Sequence, residues 1–71
     1  MYILEMQIPN SQYDGFVSGV ESTWFSCDEP ILSHHGKMTT GEYEYASFST
    51  DSVDDLGLVI GMLPENSVYF M

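Results

Sequence analysis

The first segment of the chain constrains the fold most, because its side chains alternate as they do in a half-buried strand. One face of residues 2–8 would carry Tyr2, Leu4, Met6 and Ile8, and the other face Ile3, Glu5 and Gln7. Pro9 closes the segment, since proline cannot donate a ladder hydrogen bond. A strand with one apolar face belongs to a sheet that packs on one side. The pattern therefore predicts helices on one sheet face and an open second face.

Two later segments have apolar residues at helical spacing. In the first, the predicted buried positions are Tyr13, Phe16, Val17, Val20 and Trp24. Asn10 or Ser11 is the expected N-cap, with Asp14 in the first turn. Residues 21–26 also fit a strand, so the end of this helix stays open.

The second helical pattern ends at Pro64, because proline stops a helix. Its predicted buried positions are Val53, Leu56, Val59, Ile60 and Leu63. Thr50 or Asp51 is expected to cap it, with Asp54 and Asp55 in the first turn. There, carboxylates favour the positive end of the helix dipole.

The remaining elements are predicted strands. Residues 31–38 and 42–49 flank a short loop containing Gly41, as in a hairpin, and residues 68–71 form a last short strand. Residues 15–20 and 57–62 share a Gly-x-Val-x-Gly frame, which suggests related halves and leaves a bare strip on each helix where another backbone can approach. We therefore predict one α+β domain over residues 1–71, a ferredoxin-like β-α-β-β-α-β sandwich. Its antiparallel sheet would carry two helices on one face.

The charge balance is unusual for a folded domain. Eleven carboxylates accompany one lysine, Lys37, and no arginine, for a net charge of −10. Ordinary surfaces intersperse both signs, because uncompensated like charges repel and destabilise the compact state. Ten charges correspond to about 17 Å of duplex DNA, or roughly five base pairs. Such a field either serves solubility or steers the protein to a basic partner, and it argues against direct binding of nucleic acid.

No set of residues forms a recognisable catalytic or metal-binding pattern. Cys27 could be a nucleophile with His34 or His35 as its base, but it lacks the cationic surroundings that activate a thiol. Adjacent histidines on a strand point to opposite faces, so only one of them could serve. One cysteine and a histidine pair fall short of four zinc ligands, and residues 51–55 lack the glycine and distal glutamate of a calcium loop. We expect no enzyme activity, no metal and no cofactor.

The sequence also bears on location. A single cysteine excludes an internal disulfide and fits a reducing cytosol. The first residues lack the basic region of a signal peptide, and the longest apolar run, residues 56–63, is far short of the roughly 20 residues of a membrane span. We expect a cytoplasmic monomer or homodimer without membrane contact.

Aromatic and acidic residues are the best candidates for contact with a basic partner, because they engage arginine by stacking and paired hydrogen bonds. Residues 42–45 alternate Glu and Tyr, which places the tyrosines on one strand face, either exposed or completing the core. Trp24 or Phe25 is expected to be exposed as an anchor. The predicted partner-binding residues are Trp24, Asp28, Glu29, Glu42, Tyr43, Glu44, Tyr45, Asp54 and Asp55.

In size, scarcity of cations and the interleaving of tyrosine with acid at residues 42–45, the chain resembles the small acidic inhibitors that phages encode against host defence. These are the anti-CRISPR and anti-restriction DNA-mimic proteins. The resemblance implies a stoichiometric inhibitor in the host cytoplasm that occludes a basic nucleic-acid-binding surface of a protein or ribonucleoprotein complex.

Two other functions fit the same residues. One is an immunity or antitoxin protein that neutralises a basic toxin such as a nuclease. The other is a homodimeric structural protein whose interface is the exposed sheet or the Gly57 and Gly61 strip.

Overall fold

A computed structural model of the protein describes residues 1–26, 30–38 and 40–71. The predictions made for Cys27, Asp28 and Glu29 lie outside the described residues. The elements are β1 (Tyr2–Pro9), α1 (Asn10–Glu21), β2 (Ile31–Lys37), β3 (Tyr43–Thr50), α2 (Val53–Met62) and β4 (Val68–Phe70). This is the predicted order.

The four strands form one antiparallel sheet in the order β2-β3-β1-β4. β1 pairs with β3 along its whole length, from Tyr2 opposite Thr50 to Pro9 opposite Tyr43. α1 connects β1 to β2, which lie on either side of β3, and α2 connects β3 to β4, which lie on either side of β1. The predicted α+β class, with an antiparallel sheet and two helices, is confirmed.

Both helices contribute to one core on one side of the sheet. Its buried residues are Leu4, Met6, Ile8, Tyr13, Phe16, Val20, Ala46, Phe48, Leu56 and Val59. The prediction for the apolar face of β1 is confirmed for Leu4, Met6 and Ile8, whereas Tyr2 at the start of the strand is exposed. Phe25 closes the core, with its ring centroid 5.4 Å from that of Phe48.

α1 is shorter than its apolar spacing predicts. It ends at Glu21, and Trp24, predicted on its buried face, lies beyond the helix with 95% of its surface exposed. The hydroxyls of Ser22 and Thr23 donate to carbonyl oxygens four residues earlier, at 2.8 and 2.7 Å. Such side-chain bonds compete with continuation of the backbone ladder and so favour a helix end here. Residues 21–26 form no strand either.

The start of α2 also differs from the prediction. Its N-cap is Ser52, whose hydroxyl accepts from the backbone N–H of Asp55 at 3.3 Å. Thr50 belongs to β3 instead, where it is buried and its hydroxyl accepts from the N–H of Ser52 at 3.1 Å. Asp51 lies exposed between the strand and the cap.

α1 begins directly after Pro9, without a side-chain cap or an acidic residue in its first turn. The expected caps and the placement of Asp14 in that turn are therefore wrong. The amide of Asn10 instead donates to the carbonyl oxygen of Gly41 at 2.9 Å, and its backbone N–H donates to that of Glu42 at 2.8 Å. Asn10 thus fastens the hairpin to the helix.

The helical glycines do not mark a close approach of backbones. A Cβ atom at Gly15, Gly57 or Gly61 would meet no atom of the described residues within 4 Å. At Gly19 it would lie 3.1 Å from the Cε atom of Met62, which is the flexible end of a side chain. The predicted bare strips therefore make no backbone contact within the described chain, although Gly19 lies against the side chain of Met62.

Candidate partner-binding surfaces

Most carboxylates of the described residues lie on the surface. Of the nine in this part of the chain, one is buried and two, Glu5 and Glu44, are half-buried. The exposed ones, all on helices or in connecting loops, are Asp14, Glu21, Glu42, Asp51, Asp54 and Glu65. Between described residues the one ion pair joins the amino group of Met1 to Asp51 at 3.7 Å, and exposed pairs of this kind neutralise little. Most of the negative charge of the described residues therefore lies on the protein surface.

A polar hollow lies between the start of α1 and the β2–β3 hairpin. It has a volume of about 380 Å³ and is lined by Asn10, Ser11, Asp14, Lys37 and Glu44. Burial raises the pKa of Tyr13 beside it, and the charges of Glu44 and Asp14 raise this pKa further. Both carboxylates therefore act on the same small region, which suits a cationic side chain of a partner. We call this region the hairpin hollow.

The sheet separates the predicted group at residues 42–45. Tyr43 and Tyr45 lie on the face away from the helices, Glu44 lies on the helix side, and Glu42 is exposed in the hairpin. The hydroxyl of Tyr45 donates to the carboxylate of Glu5. This hydrogen bond, followed by burial and the charge of Glu5, raises the pKa of Tyr45. The alternation is as predicted, but the tyrosines and glutamates do not form one contact ribbon.

Trp24 and the first turn of α2 lie at the same end of the molecule. The backbone N–H of Ser26 donates to the carboxylate of Asp55 at 2.8 Å, which ties the loop after α1 to that turn. Asp55 is fully buried, so its assignment as a partner-contact residue is corrected to a structural one. Asp54 is exposed beside it, as predicted for a contact residue. Of the two aromatic candidates, Trp24 is the exposed one.

The side of the sheet away from the helices is uncovered by the described residues. We call it the open sheet face, and strand alternation assigns to it Ile3, Glu5, Gln7, Ile31, Ser33, His35, Tyr43, Tyr45, Ser47, Ser49, Val68 and Phe70. Four of its apolar side chains are about half exposed, Ile3 at 53%, Ile31 at 54%, Val68 at 52% and Phe70 at 46%. Glu5 is its one carboxylate within the described residues. The face is therefore poor in charge and exposes several apolar side chains among polar ones.

Alternation along β2 places the two histidines on opposite sides of the sheet, and a bulge follows at His35. The strand register shifts between His34 and Gly36, where Gly36 has a φ of 91° that favours glycine. On the helix side, Nδ1 of His34 is hydrogen-bonded to the hydroxyl of Tyr13. His35 lies on the open sheet face, with Nε2 2.9 Å from the hydroxyl of Ser47. The predicted divergence of the two side chains is confirmed.

Within the described ranges, no group of three or more His, Cys, Asp or Glu side chains is placed to hold a metal ion. No helix in the described part of the chain combines the length and apolar character needed to cross a membrane. Comparison of the chain with protein-family models, curated proteins and solved structures found no match.

Sequence reasoning missed two of these features. The hairpin hollow brings Asn10 and Asp14 of α1 together with Lys37 of β2, and no sequence pattern links Lys37 to the other two. The apolar character of the open sheet face was signalled in part, because the alternation of β1 already put Ile3 on the side away from the core. The contribution of Ile31, Val68 and Phe70 required the strand order.

Proposed function

We propose that the protein is a stoichiometric inhibitor that binds a basic, nucleic-acid-binding surface of a target protein or ribonucleoprotein complex. In this proposal it is a phage anti-CRISPR or anti-restriction factor. It acts by mimicry or occlusion of nucleic acid and performs no chemistry. The two β-α-β units, each with another strand between its two strands, support the further proposal that the fold is ferredoxin-like.

The observation that carries the functional proposal is the imbalance of exposed charge. The described part of the chain has six exposed carboxylates and one exposed lysine, Lys37. A field of one sign steers a basic partner and raises the association rate to as much as about 10⁸–10⁹ M⁻¹s⁻¹ at low salt. Occlusion by capture requires fast encounter, and this surface supplies it.

Trp24 is proposed as the anchor of the contact. An almost fully exposed tryptophan offers a large apolar face for burial, and its ring attracts arginine side chains. Asp54 and Asp51, at the same end of the molecule, provide carboxylates for paired hydrogen bonds to arginine. In the proposal, charge sets the association rate and Trp24 slows dissociation.

The test is capture of the target from a lysate of the host, with the tagged full chain as bait. The proposal expects basic nucleic-acid-binding proteins that are released by salt and by competing duplex DNA. Trp24→Ala should then weaken binding of the captured target about 30-fold or more, as loss of an interface anchor does. Phe70→Ala is the matched control, because it removes an exposed aromatic from the open sheet face and should leave this affinity unchanged.

One result would overturn the proposal as a whole, and another would overturn the role of Trp24 within it. One is capture that resists both salt and competing DNA, since an electrostatic mimic must yield to each. The other is equal affinity of the wild-type protein and Trp24→Ala for a target whose binding to nucleic acid the wild-type protein blocks. The second result would remove Trp24 from the interface and leave only the charge.

A further inference from the structure

We infer that the open sheet face binds a second copy of this chain, so that two sheets stack face to face in a symmetric dimer. The inference does not rest on the proposed function. It uses the side of the sheet away from the helices, whereas the proposed contact with a basic target uses the carboxylates of the helices and loops. Either interaction can therefore be disproved without affecting the other.

Three of the exposed apolar side chains on the open sheet face lie together on β1 and β4. Phe70 is opposite Glu5 and Val68 is opposite Gln7, so Phe70 is a diagonal neighbour of Ile3. Diagonal neighbours in a sheet are about 7–8 Å apart, within reach of large side chains. Ile31 of β2 lies further away, on the other side of Ser49 of β3 from Ile3. Ile3, Val68 and Phe70 thus form one apolar patch, with Ile31 near the opposite edge of the face.

Charge decides which partner fits this surface. None of the six exposed carboxylates of the described chain lies on it, and its one carboxylate, Glu5, accepts the hydroxyl hydrogen of Tyr45. A basic partner is drawn to the helices and loops, where the carboxylates are. A second copy carries the same net charge of −10 and is repelled from those surfaces. The open sheet face is where two copies can meet with most of their charge turned outward.

The size of the face fits a weak, transient interface. β1 and β3 have eight residues each, β2 has seven and β4 has three, so strands spaced about 4.8 Å apart cover roughly 420 Å² of projected area. Two copies would then bury about 850 Å² in total, which is below the roughly 1,000 Å² of a stable interface and in the range of weak contacts. We therefore expect a dimer whose population depends on protein concentration, rather than a permanent one.

Two pairs of polar groups at the centre of the face are already hydrogen-bonded to each other. The carboxylate of Glu5 is bonded by Tyr45, and Nε2 of His35 is 2.9 Å from the hydroxyl of Ser47. In a two-fold interface each of these groups meets the same patch on the other copy. Their existing hydrogen bonds lower the cost of covering them, because buried polar groups are costly when they lack a partner.

The test is sedimentation velocity of the full chain over a wide range of protein concentration and of salt. The inference expects monomer and dimer in equilibrium, with the dimer favoured at high salt. Between about 0.01 and 1 M salt the screening length falls from about 30 to 3 Å, so the dimer dissociation constant should fall at least about tenfold. A monomer at every salt and protein concentration would overturn the inference and leave this face to a different protein.

Variants locate the interface. Ile3→Glu places a charge on the open sheet face and should remove the dimer. Leu58→Glu is the matched control, because Leu58 of α2 has a similar exposed fraction, 46%, and the same charge is added on the helix side. Ile31→Ser, on the edge strand, removes apolar area without adding charge and should raise the dissociation constant. Circular dichroism checks that each variant folds, and equal dimer populations for Ile3→Glu and Leu58→Glu in folded proteins would contradict the assignment.

Discussion

Asp55 is held inside the protein by the backbone of a loop, although it lies next to an exposed aspartate. Its carboxylate accepts from the N–H of Ser26, and its own N–H donates to the Ser52 cap. Removing it leaves the part-buried N–H of Ser26 without this hydrogen bond to a carboxylate, and such a bond contributes about 1.5–3 kcal/mol. We therefore expect Asp55→Ala to lower the free energy of unfolding by about 2–3 kcal/mol, measured by urea denaturation.

Asp54→Ala is the control for Asp55. Both changes remove one negative charge from the first turn of α2, but Asp54 is exposed. Its loss should change the free energy of unfolding by about 1 kcal/mol or less, because a surface carboxylate near a helix start is worth little more. Equal shifts in the two variants would contradict the structural role of Asp55.

The hydrogen bond between Tyr45 and Glu5 makes stability depend on alkaline pH. The pKa of Tyr45 is raised in the folded protein, first by this bond, so the folded state holds the phenol proton more tightly than the unfolded state. Its stabilising contribution is complete below the ordinary pKa of about 10 and is lost as the pH rises through the raised value. We expect the unfolding midpoint to fall in that range, and to fall less in Tyr45→Phe. An equally steep fall in Tyr45→Phe would refute this role of the hydrogen bond.

At the scale of the elements, periodicity predicted the order of strands and helices because the core uses it directly. Leu4, Met6 and Ile8 on β1 and Tyr13 and Phe16 on α1 are buried as their spacing indicates. The boundaries were less predictable, because they depend on local polar bonds. Trp24 continued the helical spacing, but Ser22 and Thr23 turn their hydroxyls back onto the helix and end it first.

The sequence predicted only part of the candidate surfaces, because the rest depends on contacts between distant segments of the chain. An acidic exterior follows from composition, and the exposure of either Trp24 or Phe25 follows from the divergence of adjacent side chains. The burial of Asp55 does not, because it depends on a loop that returns to α2 from a distant part of the chain. Strand alternation predicted that Tyr45 and Glu44 lie on opposite faces of the sheet. It did not predict that Glu44 lies on the helix side and Tyr45 on the open sheet face, because that depends on which face the helices cover.

The exposed glycines of α2 give a prediction for that element. Gly57 and Gly61 have helical surroundings with room for a Cβ atom, and glycine costs a helix about 1 kcal/mol relative to alanine. Gly57→Ala and Gly61→Ala should each raise the free energy of unfolding by about 0.5–1 kcal/mol, measured by urea denaturation.

Gly19→Ala is the comparison within α1. Its Cβ atom would lie 3.1 Å from the end of Met62, so packing strain offsets part of the gain. If Gly57→Ala or Gly61→Ala is destabilising, or if either lowers the population of the dimer, the glycines contact something that the described chain does not supply.

For the whole molecule, the net charge sets a limit on self-association. Two copies with −10 each and centres about 20 Å apart repel by about 20 kcal/mol in unscreened water, which falls to about 2 kcal/mol at the roughly 8 Å screening length of physiological salt. The screened value is small enough for apolar contact to overcome, and the unscreened value is not. This is why the dimer is expected only when salt is present.

The same repulsion acts within one copy. Lys37 is the only basic side chain of the chain apart from two histidines, so little compensates the carboxylates in the folded state. The thermal midpoint at low protein concentration should therefore rise with sodium chloride, most steeply below about 0.15 M, where screening changes most. A midpoint that is independent of salt would show that the charges are too far apart to matter.

The proposed capture of a basic target is tested most directly by its association rate at several salt concentrations. With the captured target immobilised, the rate constant should fall from about 10⁸ M⁻¹s⁻¹ or more at low salt towards about 10⁶ at high salt, while the dissociation rate changes little. The affinity of one copy for another changes in the opposite direction. An association rate that does not depend on salt would contradict the claim that the excess of carboxylates over lysine and arginine recognises the target.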